Sequence, residues 1–96
     1  MKRHELKIDS ELFRAVELGK KTAELRFNDR NYAVGDILII YPFDRKLNKR
    51  ASPKFCCREV THITHGGEFG IESGYCLLSM KQESTKVGSN LQRIKP

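Results

Sequence analysis

No stretch of this 96-residue chain approaches the ~18 consecutive apolar residues that a membrane-spanning helix needs. The opening Met1-Lys2-Arg3-His4-Glu5 has no apolar run of the kind a signal peptide carries. A cytoplasmic protein without a membrane partner is therefore expected. Cysteine is scarce: Cys56, Cys57 and Cys76 make an odd number, and no pair has the two-residue spacing of a redox or zinc site. They read as reduced core thiols. His62 and His65 stand three apart, which on a strand sends them to opposite faces and argues against a shared metal. Neither a metal nor another cofactor is expected. No segment repeats another.

The chain has the length of one small domain, with roughly 60–70% of its unfolded surface buried on folding. Apolar residues make up 39% and charged residues 31%, the balance of an ordinary globular domain. Lysine and arginine number 18 against 12 aspartates and glutamates, giving a formal net charge of +6. A small domain this basic is attracted to polyanions, of which nucleic acid is the commonest in a cytosol.

The segment His4–Asp9 alternates polar and apolar residues and predicts a short half-buried strand. Ser10 then suits a helix N-cap, with Glu11 in the first turn, an apolar side of Leu12, Phe13, Val16 and Leu18, and Gly19 just past the end. From Thr22 to Phe27 the period becomes two: Ala23, Leu25 and Phe27 share one face, Thr22, Glu24 and Arg26 the other. Asn28-Asp29-Arg30-Asn31 and Gly35-Asp36 are turns by composition, with Tyr32–Val34 extended between them. Ile37–Tyr41 is a continuous apolar run, the pattern of a strand buried on both sides, which Pro42 should end.

The charged segment Phe43–Pro53 predicts an exposed basic loop or the tip of a long hairpin. Phe55–Thr64 and Tyr75–Met80 read as strands, the first with a bulge at Cys56-Cys57, joined through a glycine-rich loop. One early helix and about five strands favour a mostly-β (α+β) fold, a small β-barrel capped by that helix. The later strands have no helices between them, which weighs against a parallel βαβ sheet. Residues 1–83 form the expected domain, and 84–96 a polar, loose tail. A monomer is favoured.

The densest chemistry lies in Gly19-Lys20-Lys21-Thr22-Ala23-Glu24-Leu25-Arg26. A helix stop, cations, a hydroxyl, a carboxylate and a guanidinium crowd the start of a strand. Such a cluster makes either a structural ion pair or the floor of a site for a polar, anionic ligand. The spacing Gly-x-Lys-x-x-Glu-x-Arg resembles the signature of the ASCH (activating signal cointegrator homology) family. Val34-Gly35-Asp36 before an apolar strand, the opening His4-Glu5-Leu6-Lys7 and the run Asn28-Asp29-Arg30 match it too. The likeness covers about residues 4–81 and is greatest to a bacterial and phage subgroup that begins His-Glu-Leu-Lys.

That resemblance implies a PUA-like pseudo-barrel, a motif lining a cleft beside it, and RNA or a nucleotide as ligand. Some relatives in the resembled family are enzymes: one branch removes the acetyl group of N4-acetylcytidine, another is described as cleaving RNA. Fold alone does not choose among these. The deacetylating branch carries threonine where this chain has Glu24, and takes a further carboxylate from a helical insertion for which Thr64–Gly74 has no room. Binding is therefore the leading reading. An amidohydrolase acting on a modified nucleoside is the alternative, with Lys21 activating a nucleophile and Glu24 as acid/base. A ribonuclease, using Lys21 or His4 at phosphorus, ranks below it.

Each candidate also has a plainer role. Lys21 is either a solvated lysine or a phosphate contact. Glu24 and Arg26, two apart on one strand face, form an ion pair or share a ligand, Arg26 gripping a phosphate. Thr22 adds a hydroxyl to that face, and Arg30 stands at the turn where it would close the cleft. Tyr41 is either a barrel-mouth tyrosine or a stacking platform for a base. Lys2, Arg3, Lys46, Lys49, Arg50, Lys54 and Arg58 supply further cations for a nucleic-acid backbone.

Overall fold

The computed structural model describes residues 1–83; the expectation of a loose tail over 84–96 falls outside them. In chain order the elements are β1 (Arg3–Asp9), α1 (Ser10–Glu17), β2 (Ala23–Phe27), β3 (Ile37–Asp44), the two-residue β4 (Lys49–Arg50), β5 (Cys56–His65) and β6 (Tyr75–Gln82). They make a mostly-β fold with one short helix. The sheet runs β1-β3-β5-β6-β2, with β4 beside β3. Its two edges, β1 and β2, come within reach of a single arginine side chain, from Arg26 to the Lys7 carbonyl. The sheet is therefore curled into a half-barrel with an open seam.

Alternation along β1 buries His4, Leu6 and Ile8 and leaves Arg3, Glu5 and Lys7 outside. Leu6, Ile8, Leu38, Ile40, Val60, Cys76, Leu78 and Met80 fill the concave side, and Phe13 and Val16 of α1 close it. Each large apolar side chain so buried contributes about 1.5–3 kcal/mol. The helix is only eight residues long and holds through this packing. Its apolar side is narrower than the sequence suggests, since Leu12 and Leu18 are about half exposed.

Five local features differ from the sequence reading. Asp9 is the N-cap, its carboxylate accepting from the Glu11 N–H, and Ser10 is already helical. Tyr32–Val34, expected to be extended between two turns, is a loop that already turns at Val34; Tyr32 is buried in it, its N–H held by the Asn28 side chain. β3 runs through Pro42 to Asp44. The Pro42 carbonyl accepts from Ala51, so its nitrogen faces that same edge, where pairing with β5 has already stopped at Ile40. A missing donor costs little there. The bulge of β5 falls between Val60 and His62, not at Cys56-Cys57. Finally, β1 pairs with β3 in parallel, although every other pairing is antiparallel. The connection between them carries α1 and β2, long enough for the crossover that a parallel pair demands.

The segment Phe43–Pro53 is the hairpin tip of the two alternatives: β3 turns through Arg45–Asn48 into β4, with Asp44 accepting from the N–H groups of Lys46 and Leu47.

Candidate functional site

The site begins where α1 stops. Gly19 adopts φ +76°, and its N–H bonds the Val16 carbonyl while the Lys20 N–H bonds Ala15. This is the hydrogen-bond pattern of a Schellman cap, and glycine meets its left-handed backbone without strain. The Lys21 N–H also reaches Ala15, fixing the direction in which the chain leaves the helix.

β2 then pairs with β6. Thr22 accepts from the Met80 N–H, and the Asn28 N–H donates to Gly74. Antiparallel alternation therefore points the main-chain groups of Glu24 and Arg26 at β6 and those of Ala23, Leu25 and Phe27 at the seam. The side chains of Glu24 and Arg26 turn inward, while Leu25 and Phe27 are each 55% exposed. Phe27 lies edge-on to Tyr75, ring centres 5.4 Å apart.

Glu24 is the hub. One carboxylate oxygen accepts from Lys21 Nζ at 2.8 Å and the other from Arg26 Nε at 2.9 Å. Lys21 Nζ donates as well to the Ala23 carbonyl. The Glu24 side chain is 9% exposed and each cation 23%. Charge-assisted hydrogen bonds in so enclosed a place hold all three groups in fixed positions, with one positive charge left over.

All three line a hollow of about 560 Å³ at the seam. Ile8, Asp9 and Leu12 form its wall from β1 and α1, and Leu25 and Phe27 its wall from β2. Lys7, Phe43 and Arg45 complete it, with the Lys7 ammonium 4.4 Å from the centre of the Phe43 ring. Four cations thus meet two carboxylates, beside two aromatic rings. One of those carboxylates, Asp9, is already engaged in capping α1. The arrangement suits a ligand with an anionic end and a flat apolar part.

The other candidates from the sequence lie elsewhere. Thr22 is exposed and lines a smaller hollow of about 310 Å³, together with Lys21, Arg58 and Lys81. Arg30 donates to the Glu5 carbonyl at 2.6 Å, on the seam but outside the hollow that Lys21, Glu24 and Arg26 line. Tyr41 is on the outer face of β3, with the Arg50 guanidinium 4.6 Å over its ring. His4 is buried under the seam, its Nε2 2.9 Å from the Asp36 carboxylate and its ring edge-on to Tyr32. Asp36 also accepts from the N–H groups of Lys2 and Ala33. Burial would raise the Asp36 carboxyl, but these hydrogen bonds outweigh it and hold the group below its ordinary range.

Sequence reasoning missed Lys7, Phe43 and Arg45 as lining residues. Nothing local marks them; the parallel register, which sets Asp9 against Phe43, brings them to the motif. Among the described residues, no three His, Cys, Asp or Glu side chains cluster closely enough to hold a metal ion. No described helix is long and apolar enough to cross a membrane. Burial pushes all three thiols up from their ordinary pKa, with Cys76 wholly enclosed.

Fold and site together define a class: a small, mostly-β domain whose curled sheet leaves a charged, aromatic-edged hollow at its open seam. Residues 3–80 match the family described as "Domain of unknown function (DUF3850)", and the chain belongs to that family. It is also 50% identical over 38 residues to a protein of Escherichia phage P2 described as "Uncharacterized 12.9 kDa protein in GpA 3'region". That match covers 40% of this chain and 35% of the phage protein, so the chain spans about a third of the relative's length.

Proposed function

We propose that this domain binds RNA or a nucleotide in the seam hollow, as a binding module of the ASCH, PUA-like kind. The observation that carries the reading is the meeting of Lys21, Glu24 and Arg26 in one hollow with two further cations, Lys7 and Arg45, and two aromatic rings, Phe27 and Phe43. A phosphate is met by Lys7, Arg45 and the outward side of Lys21. A base lies against the rings, and Glu24 keeps the cations in place. The match of Gly19, Lys21, Glu24 and Arg26 to the ASCH spacing and the basic composition support the same reading.

Binding is favoured over hydrolysis on geometry. Both oxygens of Glu24 are taken by cations and Lys21 Nζ has two partners, which makes a fixed electrostatic template rather than a proton carrier. His4, tied to Asp36 away from the hollow, is not placed to move charge at a phosphate there.

The test is a titration of labelled RNA at two salt concentrations, with Lys21→Ala and Arg26→Ala alongside the parent protein. Loss of affinity in both variants, with a smaller salt dependence for Lys21→Ala, is expected. Affinity unchanged by either substitution would sink the reading. Incubation with N4-acetylcytidine, followed by chromatography, should yield no cytidine.

A further inference from the structure

The outer face of the sheet carries a further hollow, of about 630 Å³, between β1, β3, β5 and the strand-to-strand loop after β4. Tyr41 and Phe55 give it two aromatic surfaces, Arg3 and Arg50 two cations, and Glu5 one carboxylate. Among the residues that line it, Arg50 is held by three side-chain hydrogen bonds. The guanidinium donates to three main-chain carbonyls, of Ser52 at 2.9 Å, Lys54 at 3.1 Å and Pro53 at 3.4 Å, while it lies over the Tyr41 ring. Carbonyls fix a guanidinium plane without neutralising it, and among the described residues no carboxylate forms an ion pair with Arg50. A flat cation is thereby held ready at the edge of an apolar hollow. Phe55, 59% exposed, lines the same hollow.

This hollow shares no lining residue with the seam hollow, but the two adjoin along β1 and β3. Lys7, which lines the seam hollow, is the register partner of Tyr41, which lines the outer one. Phe43, with Lys7 over its ring, follows Tyr41 on the same face of β3, about 7 Å further along. Aromatic and cationic groups thus alternate from Phe27 and Phe43 at the seam to Tyr41, Arg50 and Phe55 outside. Paired and stacked bases offer no free ring face to such a strip, whereas unpaired bases do.

We infer that Tyr41, Arg50 and Phe55 form a second nucleotide-binding position, so that the ligand is a single-stranded nucleic acid extending from the seam hollow onto the outer face. The inference rests on the binding reading above, which it narrows from a nucleotide to a strand.

Fluorescence anisotropy on the full chain tests it. The probe is a labelled single-stranded pyrimidine RNA of about ten nucleotides, within the span of known single-strand sites. The competitors are a mononucleotide and the same RNA in duplex form. Phe55→Ala removes an exposed ring, and Arg50→Lys keeps the charge but loses the plane. Each should weaken the ten-mer about tenfold and leave the mononucleotide within about twofold. Lys21→Ala should weaken both ligands. A ten-mer indifferent to Phe55→Ala and Arg50→Lys would overturn the second position, as would a duplex that competes as well as the single strand. If Lys21→Ala changes neither ligand while Phe55→Ala still weakens the ten-mer, the seam hollow falls and the outer position stands.

Discussion

The Arg26 guanidinium donates to the main-chain carbonyl of Lys7, joining the two edge strands of the sheet by a side chain where a barrel would use a ladder. Arg30, past the end of β2, donates to the Glu5 carbonyl two residues earlier on β1. Carbonyls two apart on a strand share an edge, and Glu5 and Lys7 are those that β3 leaves free. Capping them with guanidinium groups satisfies an exposed edge and discourages its pairing with another chain. It also leaves a gap between the strands, and that gap is the hollow. Arg26 is thus both a clasp of the fold and a wall of the site.

Removing the clasp should therefore cost stability as well as affinity. Arg26→Ala deprives the nearly buried Glu24 of one of its two cations and the Lys7 carbonyl of a donor, a loss of about 1–3 kcal/mol. Arg26→Lys should recover part of it, since an ammonium keeps the charge but not the fork. Urea unfolding measures both. If neither variant moves the midpoint, the clasp is incidental.

Lys7 and Arg45 join the motif only through the fold, so they separate the site from the motif. Lys7→Ala and Arg45→Ala should each weaken RNA binding and lower the slope of log affinity against log salt by about 1. Thr22→Ala, in the other hollow, should leave the affinity unchanged. Retained binding in both cation variants, with loss in Thr22→Ala, would move the site to the smaller hollow.

Asp36 ties β1 to the turn before β3, and its carboxyl lies below its ordinary value of 3.8. A depressed folded-state value means that the ionised form contributes stability fully present above that ordinary, unfolded value and lost as pH falls through the folded one. Unfolding midpoints measured from neutral pH down to about pH 2 should decline on that limb. Asp36→Asn should be less stable at neutral pH and decline less steeply in acid. Superimposable profiles would show that Asp36 contributes nothing to the slope.

Gly66 closes the β5–β6 hairpin, where an added Cβ would lie 2.0 Å from the Glu72 carbonyl oxygen and 2.8 Å from that of Tyr75. Main-chain oxygens in a tight loop cannot step aside, so Gly66→Ala should destabilise by about 1–3 kcal/mol through overpacking. Gly67→Ala meets open space but a φ of +94°, and should cost about 1 kcal/mol. A negligible shift in thermal unfolding for either variant would refute the prediction made for it.

Several features of this fold were legible in a few neighbouring residues. The alternation of His4–Asp9, the stop at Gly19 and the period-two run of β2 depend on local backbone preference. The Lys21–Glu24–Arg26 cluster also closes within six residues, because a strand leaving a capped helix end sets those side chains side by side. The outward turn of Leu25 and Phe27 was not legible. Their apolar character suits a core face, yet the inward side of β2 borders the seam, where charges cap free carbonyls. Pro42 misled for a similar reason: its lost donor matters only where a neighbouring strand needs it, and β5 has ended there.

By itself the sequence determined where the chain turns, which residues alternate and that three charged groups stand within six residues of one another, since each follows from contacts within a turn or two. Only the tertiary structure decided that β1 lies parallel to β3, that β1 and β2 face each other across a gap, and that Lys7, Phe43 and Arg45 reach the motif. Those depend on pairing segments some thirty residues apart. The choice among such pairings is made by burial of the whole core, which no local stretch encodes.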